Sequence, residues 1–366
     1  MQRIALLTAE DVGEIALDEM AQAEISFVRP QIAAIKNHDL VIVSVERRDI
    51  AALFKLTVVE EIFAVLEEGI AITDRRDLHR LTPRALRDRT LEALPLSRRQ
   101  RGKRSSTSFW VFVKQDEDHS VWRRSVAEQL VSFYEGTFSR WTAREPADVE
   151  VWAFLSEGRA LVGLRLTDSS FRQRRYKRDE RPGSLRPTLA AAVVLAARPR
   201  EDEVVLDPMC GVGTLLLEYG SSFPKARLIG GDRDRDALAL AESNAGRAGL
   251  SLELHQWNAT TDTSFSSFRG QISLIICNLP FGKQFGANED LLILYRRALQ
   301  VWRDLLRADG RMILLTSRSK LVHQVCSRLG LTATDVYSFM IQGIRAHVVR
   351  VSSRHSMAID DQISSR

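Results

Sequence analysis

Asp207-Pro208-Met209-Cys210-Gly211-Val212-Gly213-Thr214 is the stretch on which the fold turns. It follows the short apolar run Val204–Asp207 and runs into Leu215–Tyr219, so it reads as a strand that passes through glycines into a helix. Downstream the same alternation continues. Strand Ala226–Asp232, helix Ala237–Ala248, strand Leu252–Gln256, strand Leu274–Asn278, helix Leu291–Leu306 and strand Arg311–Thr316 follow in order. Parallel strands require crossover connections, so this pattern specifies a parallel sheet with helices on both faces. The runs Val336–Met340 and Ala346–Val351, separated by Gly343, suit an antiparallel hairpin at one sheet edge. The expected class is α/β, with a Rossmann-like domain over 188–352 and a polar tail over 353–366.

In open parallel sheets ligands bind beyond the carboxyl ends of the strands, which is where the opening stretch lies. Gly211 and Gly213 let the backbone approach a ligand with no Cβ in the way, and the helix start beyond them offers unpaired N–H groups to a carboxylate. Asp207 is placed to receive an ammonium group. That combination suits the amino-acid end of S-adenosylmethionine, whereas a dinucleotide fingerprint wants a third glycine where Leu216 stands. Asp232, ending the second strand, is placed to accept hydrogen bonds from both ribose hydroxyls, and the amide of Asn258 after the third strand to contact adenine. With Pro208, Cys210, Thr214, Ala259 and Asn278 these residues form the expected cofactor set. Each acidic residue alone equally suits a helix cap; their order on successive strands favours a site.

The fourth strand delivers Asn278-Leu279-Pro280-Phe281-Gly282 to the same end of the sheet. An aromatic amine is a poor nucleophile because its lone pair is delocalised into the ring. Hydrogen bonds from its N–H groups to the Asn278 oxygen and a backbone carbonyl would localise that pair, while Phe281 stacks on the base. Asn278, Leu279, Pro280 and Phe281 are therefore the expected catalytic residues, although Asn, Pro and Gly are also ordinary turn residues. Cys277 precedes the motif inside a strand of buried character, where a thiol is usually inert, so neither it nor Cys210 is expected to act as a nucleophile.

The chain has 366 residues, 45% hydrophobic and 27% charged, which predicts two or three folded domains. Three cysteines with no CxxC pair argue against a disulfide framework and a zinc site, so no metal is expected. With no long apolar run and acidic residues soon after Met1, the expected location is cytoplasmic. The net charge of +5 is unevenly spread. Arg98, Arg99, Arg101, Lys103 and Arg104 form one basic run, and Arg172, Arg174, Arg175, Lys177, Arg178 and Arg181 another. Such clusters neutralise phosphates, so the second run, together with Lys283, is the candidate substrate-binding surface for a nucleic acid; a solvated face is the alternative.

Upstream, strand-like runs occur at Ile4–Leu7 and Leu40–Val45, with helix-like periodicity around Val12–Ala23 and Val58–Leu66. The basic segment 96–107 reads as a linker between this region, 1–95, and a second α+β piece. That piece has strand Ser108–Val113, a helix from Val121 to Tyr134, and strands Val149–Leu155 and Ala160–Leu166 joined by a turn at Glu157-Gly158. A second linker spans 171–187 and breaks at Pro182-Gly183 and Pro187 before the helix-like Thr188–Ala197.

Over about 100–350 the chain resembles the THUMP-domain RNA guanine-N2-methyltransferases. The resemblance rests on DPMCGVGT at 207–214, on Asn278-Leu279-Pro280-Phe281-Gly282-Lys283, and on the segment from Arg181 to Ala190. It implies a THUMP RNA-binding unit over 108–170, a class that binds the acceptor end of tRNA. Asn278 and Phe281 would carry over onto the amine-binding motif, and Asp207, Gly211, Gly213 and Asp232 onto the cofactor site. Two departures stand out: Leu279 replaces a proline found in many amine methyltransferases, and Asn258 stands where an aspartate is commoner. The implied activity is methyl transfer from S-adenosylmethionine to N2 of a guanosine in tRNA, in the acceptor stem. The alternatives are a ribosomal or small nuclear RNA guanosine, or an RNA-binding protein without turnover that needs a partner subunit.

Overall fold

In the computed structural model, which describes residues 1–97, 106–116, 120–168, 170–178, 181, 183–261, 266–281 and 288–353, the strands fall into two sheets. Two compact units carry them, Met1–Arg172 and Gln173–Arg366.

The first unit runs β1 (Gln2–Ala9), α1 (Gly13–Gln22), β2 (Phe27–Ala34), β3 (His38–Val45), α2 (Ile50–Leu53), β4 (Val59–Ala71) and α3 (Leu86–Ala93). It continues through β5 (Thr107–Gln115), α4 (Ser120–Thr137), β6 (Trp141–Ala143), β7 (Val149–Ser156) and β8 (Arg159–Arg165). Its eight strands lie in the order β2-β3-β1-β4-β8-β7-β5-β6. Two expectations are corrected here. The run Val58–Leu66, whose spacing suits a helix, is strand β4, flanked by β1 and β8 and buried at each of its first eight residues. A continuous apolar run fits a buried central strand as well as a helix, and periodicity alone does not separate them.

The second correction concerns the division at 96–107. Antiparallel pairing of β4 with β8 places the expected 1–95 and 108–170 pieces in one sheet. A central strand left without that neighbour would bury a row of unpaired N–H and C=O groups. Glu61 tolerates its burial on β4 because Arg165 lies 2.5 Å from it, and the same guanidinium lies 2.8 Å from Glu150. The Glu157-Gly158 turn has positive φ at both residues, 49° and 69°, as a two-residue hairpin requires.

The second unit contains α5 (Pro187–Ala196), β9 (Val204–Asp207), α6 (Thr214–Ser222), β10 (Arg227–Asp232), α7 (Arg235–Ala248) and β11 (Glu253–Gln256). After these come β12 (Ile272–Asn278), α8 (Asn288–Arg303), β13 (Leu306–Thr316), α9 (Ser319–Arg328), β14 (Leu331–Ile341) and β15 (Ile344–Ser353). The sheet order is β11-β10-β9-β12-β13-β15-β14, parallel through β13 and antiparallel beyond it. This is the expected Rossmann-like sheet with its edge hairpin. Because the chain moves outward from β9 to β11 and then returns to the other side of β9, the carboxyl ends of β9 and β12 flank the topological switch point.

Helices pack on this sheet for legible reasons. On α8, Leu291, Tyr295, Ala298, Leu299 and Trp302 recur at helical spacing, and all are buried. α5 is buried almost all round and starts with Pro187 at its first turn, where a missing N–H costs nothing. Behind the sheet Arg311 reaches Glu203 at 2.6 Å with both side chains 4% or less exposed, and donates to the carbonyls of Ala197 and Arg198. Among the described residues no helix is long and apolar enough to cross a membrane.

Candidate active site

The turn from β9 into α6 is built by two glycines in the left-handed region, Gly211 at φ 52° and Gly213 at φ 81°. Gly213 caps α6, and a Cβ there would meet Ala241 and Leu252 at 3.3 Å, so the loop lies tightly against α7 and the following segment. Its far side is fixed by the neighbouring strand. Cys210 N–H donates to the Gly231 carbonyl at 2.9 Å and Gly211 N–H to Asp232 Oδ2 at 2.9 Å. Asp232 also accepts from Asp234 N–H at 3.0 Å. A carboxylate has about four acceptor sites, so each oxygen keeps room for a ribose hydroxyl.

Asp207 is 2% exposed and accepts Met209 N–H at 3.1 Å. Burial pushes its carboxyl up to about 8, and the nearby Asp232 charge adds to the rise while the Met209 amide and the Cys277 thiol oppose it. A buried acid held this high is stabilised as an anion by an arriving cation, which is what the ammonium end of S-adenosylmethionine brings. Cys210 and Cys277 are buried, and burial raises both thiols well above their ordinary range, which removes the thiolate that nucleophilic catalysis needs.

Asn258 does something other than expected. Its side-chain oxygen accepts both Thr260 N–H at 3.0 Å and the Thr260 hydroxyl at 2.8 Å, closing a local turn. That oxygen is thereby spoken for by the turn rather than by adenine. Ala259, beside it, is buried and accepts the Trp302 indole N–H at 3.0 Å. The residue overlooked in this segment is Trp257, buried, donating its indole N–H to the Pro208 carbonyl at 3.3 Å. A Cβ on Gly231 would sit 1.4 Å from that indole nitrogen, so the glycine exists to admit the ring. The Gly230-Gly231 pair was the available signal.

At the end of β12 the Asn278 amide donates to the Gly183 carbonyl at 3.5 Å, while its Oδ1 is buried with no hydrogen-bond partner among the described residues. Leu279 is 2% exposed and its N–H donates to the Leu315 carbonyl at 2.9 Å, a bond that a proline at this position would forfeit. Pro280 is held by Tyr295, whose hydroxyl donates to its carbonyl at 2.9 Å and lies 3.1 Å from Thr316 Oγ1. Tyr295 therefore positions the turn, and it sits on the apolar face of α8, where sequence spacing marks it only as core. Phe281 is partly buried at the end of this turn. Gly282 and Lys283 lie outside the described residues, as does the basic run 98–104.

The second basic run divides. Arg174 pairs with buried Glu218 at 3.1 Å, Lys177 donates to the Leu185 carbonyl, and Arg181 pairs with Asp234 at 2.5 Å, holding that carboxyl below its ordinary range. Tyr176 also donates to Glu218 at 2.5 Å. These three cations brace the segment that leads to Gly183 and Thr214, where the Ser184 and Thr214 hydroxyls lie 3.4 Å apart. Arg172, Arg175 and Arg178 are exposed.

The seven-stranded Rossmann-like sheet thus carries an acid, a glycine turn, a second acid and an Asn-Leu-Pro-Phe turn at the carboxyl ends of β9, β10 and β12, an arrangement that suits S-adenosylmethionine and an amine acceptor. Residues 174–347 match the family model described as UPF0020, RMKL-like, methyltransferase domain. Among curated proteins, the chain is 33% identical over 172 residues to the U6 snRNA (guanine-N(2))-methyltransferase THUMPD2 of Mus musculus, covering 46% of this chain and 31% of that one. It is 27% identical over 197 residues to the tRNA (guanine(6)-N(2))-methyltransferase THUMP3 of Bos taurus, covering 50% and 38%. It is 28% identical over 243 residues to the ribosomal RNA large subunit methyltransferase K/L of Chromohalobacter salexigens, covering 52% and 32%. The chain thus spans about a third of the length of these relatives. In fold it is similar to TrmN from Thermus thermophilus, with TM-score 0.76 at 22% identity over 96% of this chain and 100% of that one. It is also similar to SMU.472, solved in complex with SAH, with TM-score 0.68 at 16% identity over 96% and 98%.

Proposed function

We propose that the chain transfers a methyl group to the exocyclic N2 of a guanosine in tRNA, in the acceptor stem, in the cytoplasm. The observation that carries this reading is the buried, unpartnered Oδ1 of Asn278. An orphaned buried acceptor costs roughly 1–3 kcal/mol and persists where a ligand donor completes it. An exocyclic amine is such a donor. Its N–H bond to Asn278 Oδ1 draws the lone pair back onto nitrogen, and Phe281 supplies a face for the extruded base. S-Adenosylmethionine contributes a methyl on a sulfonium with a good leaving group, so the protein's task is alignment rather than strong base catalysis. The N–C bond forms as the S–C bond breaks, and the nitrogen then sheds one proton.

Two considerations favour an RNA guanosine. The three relatives above are named for RNA, two of them for guanine-N2, and 108–170 carries the THUMP resemblance. Exposed Arg172, Arg175 and Arg178 are available to phosphates. A small nuclear or ribosomal RNA guanosine is the second reading, favoured by the names of two of those relatives. The test is incubation of the purified chain with labelled S-adenosylmethionine and separate tRNA, ribosomal RNA and small nuclear RNA pools, followed by nucleoside analysis. N2-methylguanosine in tRNA is expected. Label in another pool supports the second reading, and cofactor binding with no transfer to any pool overturns turnover by the chain alone and points to a partner subunit.

A further inference from the structure

A cavity of 320 Å³ opens at the carboxyl end of β13, lined by Ser317, Arg318, Ser319, Lys320, Leu321 and His347. Its place in the sheet ties it to the amine-binding turn. Asn278 and Leu315 are register partners on β12 and β13, and the Leu279 N–H donates to the Leu315 carbonyl. One residue further on, Thr316 meets the same Tyr295 hydroxyl that holds Pro280, and its own hydroxyl accepts Arg318 N–H at 2.9 Å. The cavity and the Asn278–Phe281 turn are thus braced by a single tyrosine.

The lining chemistry is that of an anion site. It brings together a guanidinium, an ammonium, an imidazole and two hydroxyls, with no carboxylate among the described lining residues. α9 starts here with Arg318 at its N-cap position and no side-chain cap, so the first-turn N–H groups add their partial positive charge. Asp335, which lies 3.4 Å from His347, also pairs with His323 at 2.7 Å. Arg318 and Lys320 are exposed and make no ion pair among the described residues, unlike Arg174 and Arg181 in the basic run upstream.

We infer that this cavity seats a backbone phosphate of the RNA strand that carries the target guanosine, an inference that rests on the proposed RNA substrate. A phosphate clamped beside the amine-binding turn fixes the strand while the base is extruded, and phosphate contacts position without reading sequence.

The test compares the full chain with its R318A/K320A variant in RNA binding across a salt series, using an RNA that the pool experiment identifies. The variant is expected to bind about tenfold more weakly, with a log–log salt slope shallower by about 1, while its affinity for SAH and its melting curve match wild type. A single uncharged methylphosphonate linkage, walked along the RNA, should weaken wild-type binding at one position where it leaves the variant unaffected, while positions that face other cations weaken both proteins alike. Equal affinity and slope in both proteins, or the same set of methylphosphonate-sensitive positions in both, overturns the inference. If wild type methylates RNA yet the variant binds like it, the phosphate site alone fails. If wild type neither binds nor methylates RNA, the proposed function falls with it.

Discussion

Replacing Asn278 by alanine separates a catalytic acceptor from a structural one, because the two roles predict opposite effects on stability. A buried asparagine that supports the fold has its amide satisfied, and removing it costs roughly 1–3 kcal/mol. Among the described residues the side chain makes one hydrogen bond, the 3.5 Å bond to Gly183, while its oxygen is buried without a partner there. Removing the oxygen relieves an unmet desolvation cost of roughly 1–3 kcal/mol, which offsets the small void left behind. The Asn278→Ala protein should therefore unfold in urea within about 1 kcal/mol of wild type, or at higher stability. Turnover should fall by about 10²–10³-fold, or roughly 2.7–4 kcal/mol of lost transition-state stabilisation, as when one positioned polar group is removed from an active site. The assay pairs equilibrium unfolding with single-turnover methyl transfer at saturating cofactor, with SAH affinity as a control. A loss of more than about 2 kcal/mol of stability, or turnover within about fivefold of wild type, would refute the reasoning.

Arg311→Met should cost about 3–5 kcal/mol by leaving Glu203 charged and buried, and E203Q/R311M should recover most of it; a thermal or urea melt measures both. Burial opposes ionisation of Glu203, yet Arg311 holds its carboxyl below the ordinary range. That contribution is present above the unfolded carboxyl range and lost as pH falls through the folded one, so the gap between wild type and Arg311→Met should narrow in acid. Asp207 behaves in the opposite sense: because burial raises it from 3.8 to about 8, the cofactor-free protein should lose stability as pH climbs through that interval. SAH binding at pH 7, followed by calorimetry in two buffers of different ionisation enthalpy, should release about one proton per ligand, and no release would dissociate Asp207 from the ammonium. R175A/R178A should weaken RNA binding and flatten its salt dependence with SAH affinity unaltered, whereas Arg174→Ala should chiefly lower the melting temperature, because Arg174 pairs with buried Glu218.

The alternation after Val204, the glycine turn and the strand-end residues Asp207, Asp232 and Asn278 were legible because each rests on local chemistry: apolar period, backbone freedom and side-chain type. The parallel sheet and its edge hairpin follow from those alone. Tertiary structure decided what depends on a distant partner. Val58–Leu66 became a strand because β1 and β8 lie on both sides of it, and the first 172 residues share one sheet because β4 found β8. Arg174, Lys177 and Arg181 look like phosphate ligands in a row of cations, but Glu218, the Leu185 carbonyl and Asp234 claim them from up to 53 positions away. Asn258 turned inward to Thr260, and Trp257 and Tyr295, indistinguishable from core in sequence, became the braces of the β9–α6 loop and the Asn278–Phe281 turn. Residue type and spacing determine which groups can do chemistry, whereas their hydrogen-bond partners, fixed only when distant segments meet, determine which of them are left to do it.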